Sequence, residues 1–201
     1  MCFDAKTSLA TFLTGTFLSL MVMTYALFQK QTSLALLSGG WMWVILMQWW
    51  EFMIWKNWEK HTASHFAYVF NIMQIPLLYF LFILSSPVSL VFKAIATGIV
   101  FVYLCIMLYP NINGDVTQQS GHLTYSWWSS RVRSTTYFIG LASIFLLLVR
   151  PFSWSMACVT TLFVLLGLSM LIYGQQNTPS LWCFFAVFFP VLALVYTKIF
   201  Q

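Results

Sequence analysis

Charge is what this sequence has least of. Only 6% of its 201 residues are charged, and four of them are acids. A soluble domain carries about 25% charged residues. A water-facing surface cannot be built from this stock, which excludes a soluble enzyme, a nucleic-acid binder and a disordered tail. Nine Lys and Arg give a net charge of +5, but they stand singly between apolar runs, so no nucleic-acid partner is expected. Cysteine is sparse too. Four are scattered with no C-x-x-C pair, so no disulfide framework or spaced zinc site follows. Period-2 alternation is missing, which argues against a membrane barrel. The last apolar run has no central lysine, since Lys198 sits at its edge, and no retinal is expected. Related halves of the kind found in carriers with inverted repeats are not visible.

What is present is apolar: 61% hydrophobic residues, with twenty Phe and ten Trp. A hydrocarbon core of about 30 Å needs roughly 20 apolar residues in a helix. Seven runs approach that length, at about 8–28, 33–55, 66–84, 88–109, 134–149, 152–173 and 179–199. They predict an all-α polytopic membrane protein, a compact bundle of seven transmembrane helices forming one domain over 1–201. Lys30 to Thr32, Lys56 to His65, Ser85-Ser86-Pro87, Arg150-Pro151 and Gly174 to Pro179 punctuate the runs. Pro110 to Arg133 is the one long polar stretch, with a turn at Asn113-Gly114-Asp115. The first run does not read as a cleaved signal peptide, because Lys6 beside Asp4 is a poor n-region and no small-x-small site follows.

Seven crossings would place the N-terminus and the stretches 56–65, 110–133 and 174–179 on one side. That side carries Lys6, Lys56, Lys60, Arg131 and Arg133, against Lys30, Lys93, Arg150 and Lys198 opposite. Five against four scarcely orients the chain; the N-terminus is assigned to the cytosol on this small excess.

The same parity gathers the polar residues. Gln48, Glu51 and Trp55 are spaced i, i+3, i+7 and share a helical face. Asn71 and Gln74 share one on the following helix, at similar depth if the two are antiparallel. Glu51 is the only acid inside a run, and an intramembrane ionisable residue marks an ion or ligand site by default. The expected ligand or ion site is therefore Glu51 with Gln48, Asn71, Gln74, Trp55, His122 and Trp182. Cys2, His122 and Cys183 form a candidate soft metal site or Cys-His pair, although they come from separate segments. His61 and His65, four apart beside Lys60, read as interfacial histidines. Trp127 and Trp128 beside Arg131 and Arg133 read as interfacial anchors, with a lipid-headgroup site as the alternative. Cys105 and Cys158 read as packing residues.

Four short elements carry a resemblance. Met1-Cys2-Phe3-Asp4-Ala5 resembles the MCFSA or MCWSA opening of an uncharacterised family of small multi-pass membrane proteins in microbial and large-DNA-virus genomes. Gln48, Glu51 and Trp55 resemble its Q-x-x-E-G-x-x-W element, with Phe52 in place of Gly. Gly121-His122-Leu123-Thr124-Tyr125 resembles its G-H-I-x-Y element, and Ser180-Leu181-Trp182-Cys183-Phe184-Phe185-Ala186 its S-V-W-C-F-F-A-A element. The resemblance implies a multi-pass membrane fold and the same choice of residues, adds Tyr125 to the expected ligand or ion site, and implies no particular chemistry.

Three functions fit this reading. One is a small channel, transporter or small-ligand-binding membrane protein built around Glu51. Another is an intramembrane enzyme using a metal or the Cys/His residues on a lipid or redox substrate. The third is a structural or receptor component of a membrane assembly. The expected partners are the lipid bilayer, a small ion or lipid-like ligand and a second copy of the chain.

Overall fold

A computed structural model of the chain describes residues 4–85, 89–108, 114–119, 122–128, 130–148, 171 and 187–200. Among them are six α-helices: α1 (Ala5–Phe28), α2 (Thr32–Trp55), α3 (Lys60–Ser85), α4 (Leu90–Leu108), α5 (Arg131–Leu148) and α6 (Phe189–Phe200). Between α4 and α5 lie two short strands, β1 (Val116–Gln119) and β2 (His122–Tyr125), and a 3-10 turn, Ser126–Trp128.

Seven membrane-crossing helices are not what this architecture supports. Among the described residues two helices, α1 and α4, are long and apolar enough to cross a membrane. The reason lies in the kind of apolar residue. The run at 33–55 contains five Trp besides Gln48 and Glu51, and α3 contains Lys60, two His, Asn71, Gln74 and Pro76. Trp and Tyr are amphipathic and favour interfaces and hydrogen-bonded interiors over the middle of a lipid layer. Run length therefore overcounts spans. The run at 152–173 and the start of that at 179–199 lie outside the described residues, apart from Leu171.

Local chemistry explains the boundaries. Asp4 caps α1, its Oδ1 accepting from the Thr7 N–H at 2.7 Å. That backbone bond, first among several hydrogen bonds to the carboxylate, holds its pKa below the ordinary value. The α1 C-terminus closes in a Schellman turn. Gln31 N–H donates to Ala26 O at 2.8 Å and Lys30 N–H to Leu27 O at 3.1 Å, with Lys30 left-handed at φ 57°. The α2 C-terminus repeats the device with Trp58, Asn57 and φ 54°. This position favours Gly, tolerates Asn and penalises Lys. The polar stretch predicted at 56–65 shrinks accordingly, because α3 already begins at Lys60.

α1 and α2 run antiparallel, as shown by Gly15 against Ile45 and Gly39 against Met23. The buried face of α1 is Ser8, Thr11, Gly15, Ser19, Val22 and Ala26, mostly small residues spaced three or four apart. A Cβ on Gly15 would sit 2.9 Å from Ile45 Cδ1, so any larger residue there must displace the Ile45 side chain. α3 and α5 run parallel with a constant offset, pairing Gln74 with Tyr137, Ile75 with Gly140 and Tyr79 with Ser143. α6 packs on the α1–α2 pair, with Phe189 stacked on Trp41 at 3.9 Å.

Pro76 sits inside α3 and has no N–H to give the carbonyl four residues back. That carbonyl belongs to Ile72, and the Tyr103 hydroxyl of α4 donates to it at 3.1 Å. A neighbouring helix thus replaces the backbone bond that proline removes.

Within the stretch predicted as a polar loop at 110–133, the described residues from Gly114 onward form ordered elements. β1 and β2 pair antiparallel, Val116 with Tyr125 through to Gln119 with His122. Along β2, Leu123 and Tyr125 are buried and His122 and Thr124 only partly so, the alternation of a strand with one face in a core. Gly114 lies against Tyr68 of α3, where a Cβ would come within 2.8 Å of the tyrosine Cβ.

Candidate functional site

The largest buried cluster is aromatic and polar at once. It joins Trp41, Tyr68, Tyr79, Tyr103, Tyr125, Trp127, Trp128 and Tyr137 to aliphatic residues from α2 and α3. Gln48, Glu51, Asn71 and Gln74 are buried in the same region, none more than 2% exposed. Buried polar groups must find partners, and the segment between α4 and α5 brings many of them.

Glu51 is 0% exposed. Gln48, one turn earlier on α2, donates from Nε2 to Glu51 Oε2 at 2.8 Å. Tyr125, the last residue of β2, donates its hydroxyl to Glu51 Oε1. One partner is local and fixed by helical spacing. The other comes from 74 residues away and is positioned by strand register.

Asn71 forms a second node. Its Oδ1 accepts from the indole N–H groups of Trp127 and Trp128, each at 3.1 Å. Both indoles donate only, so the amide orientation is set by chemistry: the oxygen must face them. Nδ2 then points away, buried and with no partner among the described residues. Three residues on, Gln74 Oε1 accepts from the Tyr137 hydroxyl of α5, and its Nε2 is likewise unpartnered.

The two nodes differ in kind. Tyrosine hydroxyls and glutamine amides both donate and accept, so these partners of Glu51 can serve a carboxylate or a protonated carboxyl once the hydroxyl turns or the amide flips end for end. The indoles on Asn71 have no such freedom. Glu51 sits in a reversible setting and Asn71 in a fixed one.

Of the sequence-predicted residues, the structure brings Glu51, Gln48 and Tyr125 into direct contact and buries Asn71 and Gln74 in the same core. This proximity rests on hydrogen bonds and ring contacts between α2, α3 and the hairpin, with no appeal to an odd number of crossings. Trp55 is half-buried at the edge of the cluster, its Nε1 without a partner among the described residues. His122 is half-buried in β2, paired in register with Gln119. Trp182, Cys2 and Cys183 lie outside the described residues. Among the described residues no group of three His, Cys, Asp or Glu could hold a metal ion. His61 and His65 are exposed on the first turns of α3.

Trp127 and Trp128 correct an expectation. They are not interfacial anchors but 0% and 2% exposed, packed edge-on against Tyr68, Tyr125 and Tyr137. Cys105 is exposed rather than packed inside. Tyr137 was not anticipated, because a lone tyrosine in an apolar run gives no sign of which neighbour its hydroxyl will reach.

Comparison of the chain with protein-family models, curated proteins and solved structures finds no match in any of the three.

Proposed function

We propose that this chain is an integral membrane protein whose helices enclose an occluded polar site at Glu51, and that it acts as a small transporter of protons or small cations. The observation that carries the reading is the Glu51 carboxyl itself. It is fully buried, and two of the side chains that hold it, Gln48 and Tyr125, can each reverse their hydrogen bond. An ionisable group enclosed by apolar surroundings is costly and is typical of ion and proton paths. Partners able to serve both protonation states lower the cost of passing between them. The unpartnered amide N–H groups of Asn71 and Gln74 add donors for a water or a ligand oxygen in the same core.

The bilayer part of the reading draws on α1 and α4. Only 28% of the most apolar stretch of α1 and 17% of that of α4 is buried, whereas the core helix of a soluble protein would be mostly covered. Their outward residues include Leu13, Phe17 and Met21 on α1, and Ile95, Phe101 and Val102 on α4. Small and polar residues inside with large apolar residues outside is the arrangement of helices packed in lipid. The motif resemblance points the same way, two of its elements supplying Gln48, Glu51 and Tyr125.

Reconstituted liposomes loaded with a pH-sensitive dye test the proposal. Under an imposed potassium diffusion potential, the wild-type chain should move protons faster than protein-free liposomes. Glu51→Gln, which keeps the volume and removes the titrating group, should return the rate to background without altering thermal stability in detergent. A wild-type rate equal to background, or a Glu51→Gln rate equal to wild type, would refute it.

A further inference from the structure

The buried cluster around Glu51 is rich in donors and poor in free oxygens. Both carboxyl oxygens of Glu51 already accept, Oε2 from Gln48 and Oε1 from Tyr125. Asn71 Oδ1 accepts from two indoles, and Gln74 Oε1 from the Tyr137 hydroxyl. Asn71 Nδ2, Gln74 Nε2, Trp50 Nε1 and Trp55 Nε1, buried without a partner among the described residues, are all N–H donors. Unpartnered oxygens do occur, at Ser19, Gln31 and Ser38. Ser19 lies between the Gly15–Ile45 and Met23–Gly39 contacts, short of Glu51 along α2. Ser38, the nearer of the other two, is roughly 20 Å from Glu51 along the helix at 1.5 Å per residue. The backbone does little to fill the gap. α2 and α3 run unbroken past Glu51 and Asn71, so their carbonyls there are spent on helical hydrogen bonds. The turn after α2 takes the carbonyls of Phe52, Met53 and Ile54. Pro76 releases Ile72 O, and the Tyr103 hydroxyl donates to it.

We propose that the Glu51 site takes up a proton and excludes sodium, potassium and other metal cations. A metal cation leaving water needs several oxygens at once to replace its shell, and cation sites in membrane helices draw them from unwound backbone. A proton needs one lone pair. Hydronium transfers it to a Glu51 oxygen: one O–H bond of hydronium breaks, one forms on the carboxyl, and neutral water is left. The Tyr125 hydroxyl then turns, or the Gln48 amide flips, to accept from the new O–H. Asn71 Nδ2 suits that water, whose oxygen accepts, and repels a metal cation, which would meet its positive hydrogens. The two indoles fix this orientation of Asn71. Gln74, turned end for end against Tyr137, would supply a single oxygen, far short of a shell. The selectivity deepens the transport reading and rests on it for any part in flux, but occupancy of the site is measurable without flux.

Infrared difference spectroscopy of the whole chain in detergent reads the occupant directly. Of the four acids, Asp4, Glu59 and Asp115 are exposed, so the carboxylic C=O stretch of a buried, protonated Glu51 stands apart from theirs. Acidification should raise such a band, and Glu51→Gln should abolish it. At the pH where the band stands at half its full height, exchanging choline chloride for sodium or potassium chloride at equal ionic strength should leave it unchanged. Loss of the band on adding either salt would overturn the proposal, as would the lack of any Glu51-dependent band. Uptake of radioactive sodium into liposomes that Glu51→Gln abolishes would overturn it too, while leaving the transport reading in place. A band indifferent to both salts, together with wild-type proton flux at background, would reject transport and uphold the proton-selective site. If Glu51→Gln does not fold, Glu51→Asp, which should shift the band rather than remove it, makes the assignment.

Discussion

The two flanks of α2 are built on opposite principles. Toward α1 the contact is close and largely non-directional: Gly15 under Ile45, Gly39 beside Met23, and the Ser19 and Ser38 hydroxyls buried without partners among the described residues. Toward α3 and the hairpin the contact is aromatic and directional, with Glu51 and Asn71 each accepting two hydrogen bonds from named donors. The first flank depends on how near two backbones come. The second depends on which atom faces which. A surface of the first kind tolerates sliding, whereas the second specifies a single register, so geometry needed for chemistry belongs on the second.

Substitutions can break this contrast, beginning with Asn71. Asn71→Ala leaves two buried indole N–H groups unpaired, at about 1–3 kcal/mol each. A loss of about 2–5 kcal/mol is expected in denaturant unfolding of the detergent-solubilised chain, and Asn71→Asp, which keeps an acceptor, should lose far less. Overpacking probes the other flank. Gly15→Val drives two methyl groups into Ile45, and a loss of about 1–3 kcal/mol is expected. Pairing it with Ile45→Ala should restore part of that loss, because the conflict is one of volume.

Tyr103 sharpens the comparison from the α4 side. Tyr103→Phe orphans the Ile72 carbonyl and should cost about 1–3 kcal/mol. In a Pro76→Ala background the N–H of residue 76 can take that carbonyl, and the same substitution should cost much less. Additive effects in this double-mutant cycle would show that the hydroxyl does not stand in for the missing bond. The smallest expected effect is a gain. Lys30→Gly relieves a left-handed lysine and should stabilise by about 1 kcal/mol in thermal unfolding.

Part of this was legible beforehand. Gln48 and Glu51 were placed together by helical spacing alone, as were Asn71 and Gln74, because that geometry is local. Helices over most of α1 to α5 follow from run length and punctuation. The number of membrane crossings was not legible, since a tryptophan-rich run and a leucine-rich run look alike by length and differ in what they pack against. Nor was the hairpin. Val116–Gln119 and His122–Tyr125 are four residues each, too short for alternation to stand out, and the side-chain contacts that tie this segment to α2 and α3 are long-range. Trp127 and Trp128 were misread for a related reason. A tryptophan beside an arginine at the end of a polar stretch has the composition of a lipid interface. Only the fold shows that its N–H has found an asparagine instead.

The hairpin also has a consequence for how the molecule is made. Synthesis delivers Glu51, Asn71 and Gln74 well before Tyr125, Trp127, Trp128 and Tyr137, the residues that later cover them. A nascent chain halted near residue 110 therefore holds Asn71 and Gln74 without the donors that later reach them, and Glu51 with Gln48 but without Tyr125. Such an intermediate needs water, a chaperone or the insertion machinery to shield it until the next thirty or so residues arrive, and a quality-control protease has a clear mark by which to recognise chains that never complete.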